Sequence, residues 1–80
     1  MKYQTHKLKV VCTLQDGNKI TTEEHDDVIS WRTLDWEADT DHDVFTIEKT
    51  FLQKNKQPGT DTFELFIANG DTIDLEMVPN

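Results

Sequence analysis

Two runs near the end of the chain alternate apolar and polar residues with a period of two, and Asn69-Gly70 stands between them. Phe63, Leu65 and Ile67 precede the dipeptide; Ile73, Leu75 and Met77 follow it. This period places the apolar side chains on one face of an extended strand. Asn and Gly both tolerate positive φ, so the pattern predicts a tight hairpin in which the two runs pair.

A similar alternation opens the chain. From His6 to Gln15, Leu8, Val10, Cys12 and Leu14 share one face, and Lys7, Lys9, Val11 and Thr13 share the other. Asp16-Gly17-Asn18 then predicts a turn, with Gly17 supplying the backbone freedom. Lys19 to Glu24 follows as a polar, threonine-rich strand, expected at a sheet edge and hairpinned to the first.

The middle of the chain reads two ways. Val28 to Trp36 is a strand, with Ile29 and Trp31 on one face and Leu34 and Trp36 on the other, or a short helix. Val44 to Gln53 has an N-cap in Asp43, lysines at 54 and 56, and a stop in Pro58-Gly59, all helix signals. Its composition points the other way, because Phe45, Thr46, Ile47, Thr50 and Phe51 are strand formers. The expected fold is therefore mainly β, a small antiparallel barrel or sandwich of five to six strands. The alternative is an α+β fold, with one helix at about 43–55 packed on an antiparallel sheet.

Eighty residues make a single domain, 1–80. A domain this small buries only about 60% of the surface its unfolded chain exposes, so its working site is expected on a surface, edge or shallow groove. Cys12 is the only cysteine, which excludes an internal disulfide. The first residues lack the apolar stretch of a signal peptide, and no run is long enough to span a bilayer. The expectation is a soluble cytoplasmic protein with no membrane partner.

No motif for nucleotide, metal-protease, redox or serine-hydrolase chemistry occurs, and the only serine, Ser30, has no glycine elbow around it. All three glycines fall in predicted turns, leaving none for a phosphate-cradling loop. The sequence therefore predicts no catalytic residues, no cofactor and no enzymatic activity.

Charge is the most informative remaining feature. Sixteen acidic residues face eight basic ones, for a net charge of -8. That excess opposes direct binding to nucleic acid or to an anionic membrane and favours basic partners. Between Glu23 and Glu48, Arg32 is the only Lys or Arg among ten carboxylates. If Asp35, Glu37, Asp39, Asp41 and Asp43 gather on one side, they form an acidic docking face for a basic protein surface. In an extended chain Asp39, Asp41 and Asp43 would stand about 6.8 Å apart on one side, a regular row of the kind that mimics a nucleic-acid backbone. A nucleic-acid-binding protein is then one candidate partner, to be regulated or inhibited.

Trp31 and Trp36 are the candidate apolar anchors, since tryptophan is enriched at binding hot spots. Five residues apart in a strand, they fall on opposite faces unless a bulge intervenes. Val11, Phe66 and Val78 lie opposite the main alternating sets, an apolar patch that leaves self-association and homodimerisation open.

A metal-binding reading rests on His25, Asp39, Asp41, His42 and Asp43. The D-x-D-x-D run matches the first, third and fifth ligand positions of a calcium loop. It then departs, with Val44 where that loop needs glycine and Thr50 where it needs glutamate. His25 and His42 would join carboxylates around a transition metal only if their loops met.

Overall fold

The computed structural model describes residues 2–80. Its first strand, β1 (His6–Thr13), leads through a turn closed by Gly17 N–H to Leu14 C=O at 2.9 Å into β2 (Lys19–Ala38). Gly17 holds φ at +90° there, which glycine adopts without the penalty a Cβ would bring. β3 (His42–Leu52), β4 (Pro58–Ala68) and β5 (Thr72–Pro79) follow, and no helix occurs among the described residues. The strands form one antiparallel sheet in the order β4-β3-β2-β1-β5, and the sheet is not closed.

β3 resolves the central ambiguity in favour of strand. It is paired on both sides, to β2 and to β4, so its backbone donors and acceptors are used in ladders. That non-local pairing outweighs the capping signals at Asp43 and Pro58-Gly59. The segment at 43–55 is not a helix.

The feature that shapes the molecule is β2. Its 20 residues carry four register irregularities, two against β1 and two against β3, and each leaves the extra residue on β2. Bulges sharpen the local bend and twist of a strand. Asp27, at one of them, takes φ +57°. The first half of β2 pairs with β1 up to Val28, and the second half pairs with β3 from Val28 onward. The Lys19–Glu24 segment is paired with β1 alone, so it lies at an edge as expected, while the strand it opens goes on to link both halves of the sheet.

The bent sheet packs on itself. Val10 of β1 meets Ile47 of β3 and Leu65 of β4, with Phe45, Phe63, Ile73 and Leu75 around them. Leu8, Val11, Val28 and Ile67 complete the buried apolar set, and no polar residue is buried, among the described residues. The result is long and thin, 44 × 24 × 14 Å. Its radius of gyration, 13.9 Å, exceeds the roughly 12 Å usual for this length.

Asn69-Gly70 makes a turn, with Asp71 N–H bonded to Ala68 C=O at 3.1 Å and Gly70 at φ +93°. The predicted hairpin does not follow. β4 and β5 lie at opposite ends of the sheet order, so the turn carries the chain from one half of the fold to the other. Local turn chemistry is as expected, but both strands find better-placed partners in β3 and β1. A Cβ on Gly70 would overlap the Gln15 side-chain amide, which packs against this turn.

Candidate functional site

The second half of β2, from Ser30 to Ala38, pairs with β3 alone; β1 reaches only to Val28. Along this stretch Trp31 lies opposite Lys49, Thr33 opposite Ile47, and Trp36 opposite Phe45. Those β3 partners alternate by two, so all three β2 residues share the inner face. The shift between Thr33 and Asp35 makes this happen, because Leu34 is an extra residue that inverts the parity beyond it. The two tryptophans therefore face the same side, not opposite ones.

Trp31 borders a largely apolar cleft of about 320 Å³ on the inner face. Trp31 and Thr33 of β2 line it with Phe45 and Ile47 of β3, Leu65 of β4, and Ile73, Asp74 and Leu75 of β5. Trp36 extends this surface outward, its ring stacked on Phe45 with centroids 6.0 Å apart. It is 58% exposed, with Leu34 at 45% and Trp31 at 36%. Phe45 belongs to this surface through its place opposite Trp36, a pairing not legible from sequence because the bulge at Leu34 that sets it has no compositional mark.

Eight of the ten carboxylates of the central stretch divide into two groups; of the other two, Glu23 lies beside His25, and Asp27 makes no ion pair among the described residues. Glu24 and Asp26 lie within 3.7–3.9 Å of Lys7 or Lys9, and Glu48 holds Arg32 Nε at 2.8 Å. These acids are locally compensated. Asp35, Glu37, Asp39, Asp41 and Asp43 form no ion pair with Lys or Arg among the described residues. Asp35 and Glu37 stand opposite Thr46 and Val44, which puts them on the outer face, back to back with the tryptophans. Asp39 and Asp41 occupy the β2–β3 turn, where Asp39 Oδ1 accepts a hydrogen bond from Thr40 N–H at 2.7 Å. Asp43, the second residue of β3, lies opposite Ala38 and Ile67. The regular extended row of Asp39, Asp41 and Asp43 does not form, since the chain reverses between them.

This acidic end is larger than the sequence run. Asn69 Nδ2 donates to Thr40 C=O at 2.7 Å, and Gln15 Nε2 donates to Asn69 C=O at 2.7 Å. Gln15 N–H also reaches Asp71 Oδ1 at 3.2 Å. Three turns are thereby tied together, and Asp16 and Asp71 join the five central acids at one end of the molecule. Lys54 and Lys56 lie in the β3–β4 turn, at the opposite end of β3. Uncompensated charges gathered this way add their potentials.

The proposed metal ligands are only partly assembled. Asp39, Asp41 and His42 each offer an atom within 4.8 Å of the others. His25 does not join them. It stacks on Phe63 on the inner face at 4.3 Å, with Lys49 Nζ 3.0 Å from its Nδ1 and Glu23 Oε1 3.4 Å from its Nε2. Burial, and next the Lys49 cation, hold its pKa below the ordinary 6.5, against an opposing pull from Glu23. An ammonium at that nitrogen competes with any metal ion for it.

Val11, Phe66 and Val78 do not make one patch. Val11 is buried on β1, whereas Phe66 and Val78 stand on β4 and β5 at opposite ends of the sheet order. Phe66, 68% exposed, has His42 beside it at 5.9 Å. Among the described residues no helix is long and apolar enough to cross a membrane. No protein-family model, no curated protein and no solved structure matches this chain.

Proposed function

We propose that this chain is a non-enzymatic interaction module that docks a basic protein partner on the second half of β2 and thereby regulates or inhibits it. One observation carries the reading. Five carboxylates without a Lys or Arg partner share a hairpin with exposed Trp31, Leu34 and Trp36. Uncompensated like charge costs stability through self-repulsion, and exposed tryptophan forgoes burial. Both are offset when a basic, partly apolar surface covers them. Charge would speed and orient the encounter, while the cleft and Trp36 would supply most of the affinity.

The test uses the purified chain as bait in lysate at low and high salt, beside a variant with D35N, E37Q, D39N and D41N. Basic proteins captured by the parent at low salt, and lost both in high salt and with the variant, support the reading. Equal capture by parent and variant at both salts, or no capture of basic proteins at low salt, refutes it, because charge-driven binding is strongest there.

Self-association is the second reading, favoured by Phe66 exposed on the edge strand β4. Sedimentation separates the two: apolar self-association holds or strengthens in salt, whereas acidic docking weakens.

A further inference from the structure

We infer that the unpaired edge of β2 from Ser30 to Ala38 accepts a guest strand, and that the guest is an extended segment in which apolar and basic side chains alternate. The inference rests on the docking reading above and specifies the form of the partner.

No strand among the described residues pairs with this edge, although the opposite edge of the same stretch is laddered to β3. Every second residue of a strand directs its N–H and C=O to one side, so the free edge presents a row of donors and acceptors that no strand uses, although the Trp36 N–H of this stretch is capped by its neighbour Asp35 Oδ1 at 2.9 Å, a contact an incoming strand would have to replace or leave in place. An added strand would satisfy them, the usual route by which an extended peptide joins a sheet.

Side chains on β2 dictate what the guest must carry. Residues directly opposite each other across a ladder share a face. On the inner face the guest meets Trp31, Thr33 and Trp36 beside the cleft, whose lining is apolar apart from Thr33 and Asp74, so apolar groups gain most by burial there. On the outer face it meets Asp35 and Glu37, for which the complement is Lys or Arg. Because successive guest residues point to opposite faces, apolar and basic must alternate. Nine residues of guest cover this edge, about 30 Å of chain.

Charge also selects against a second copy of the chain as occupant. Its same edge would bring another Asp35 and Glu37, and its only cation there, Arg32, is already held by Glu48 at 2.8 Å. Like charges across a ladder are destabilising.

The experiment measures binding of nine-residue synthetic peptides to the intact chain by fluorescence anisotropy at low salt. One peptide alternates valine and lysine; a second has the same composition with its lysines in one block. Two further versions of the alternating peptide carry N-methyl groups, on every valine amide in one and on every lysine amide in the other. Strand addition uses only one of these amide sets. One methylated peptide should therefore lose about ten-fold or more in affinity, with the other close to the parent, and the block peptide should also bind weakly. The doubly charge-reversed variant D35K/E37K should instead prefer an alternating valine–glutamate peptide. Both side chains are exposed and outside the core, so folding is preserved.

Equal binding of all the cationic peptides, with strong salt dependence, overturns strand addition while leaving the acidic docking surface standing. No binding of any cationic peptide at low salt overturns both.

Discussion

Replacing Ile47 by Ala tests whether the two halves of the sheet are held together as described. Ile47 is 1% exposed and shares one core cluster with Val10 of β1 and Leu65 of β4, so it belongs to the packing that joins the two halves. The substitution removes three carbons from that packing, worth about 2.4 kcal/mol at roughly 0.8 kcal/mol each. A rigid cavity would add more, but Ile47 also lines the open cleft, so neighbours or water can fill the space. The expected loss is therefore about 2.5–3 kcal/mol, from a total of roughly 4–12 kcal/mol for a chain of this length. In melting temperature this is a fall of about 10–20 °C. Phe66→Ala is the control, because a ring 68% exposed on the outer face should cost under about 1 kcal/mol. Urea unfolding followed by tryptophan emission and far-UV circular dichroism reads both, with the slope against urea unchanged. If Ile47→Ala costs no more than Phe66→Ala, the halves do not meet through Ile47. The folded-over sheet would then be wrong.

Two further perturbations address the bulge and the histidine. Deleting Leu34 joins Thr33 directly to Asp35, whose β3 partners Ile47 and Thr46 are already adjacent. The ladder should close regularly, stability should change by about 1 kcal/mol or less, and nuclear Overhauser contacts between the Trp36 and Phe45 rings should persist; their loss would refute the assigned parity. His25 has its pKa lowered by burial and then by Lys49, so the folded chain binds fewer protons than the unfolded one just below pH 6.5. Its contribution is fully present above that pH and is lost as pH falls toward the folded value. His25→Phe, which keeps a ring against Phe63, should flatten the stability–pH slope as pH falls below about 6.5; an unchanged slope would remove His25 as its source.

Much of the candidate site could be anticipated residue by residue but not assembled. The acidic run was visible because charge is a property of composition, and its grouping at one end follows from lying on a single hairpin. Asp16 and Asp71 were not visible as members, because they join through Gln15 and Asn69 contacts spanning more than fifty residues of sequence. Trp31 and Trp36 were visible as anchors, but their common face was not. The inner residues of β2 run Ile20, Glu23, His25, Val28, Trp31, Thr33 and Trp36, judged by their ladder partners. Steps of two and three mixed this way match neither strand nor helix periodicity, which is why the segment from Val28 to Trp36 read both ways.

What the residues determined unaided is local: extended backbone in the alternating runs, turns at Gly17 and Gly70, and an acidic middle with too few cations to balance it. Backbone dihedral preference and side-chain alternation act between near neighbours, so a linear reading captures them. Only the tertiary structure decided which strand edges meet. It separated β4 from β5 despite their Asn-Gly turn, bent β2 through four bulges, and turned both tryptophans inward. Pairing is selected by hydrogen bonds and apolar contacts between residues far apart in sequence, and their balance depends on the whole sheet at once.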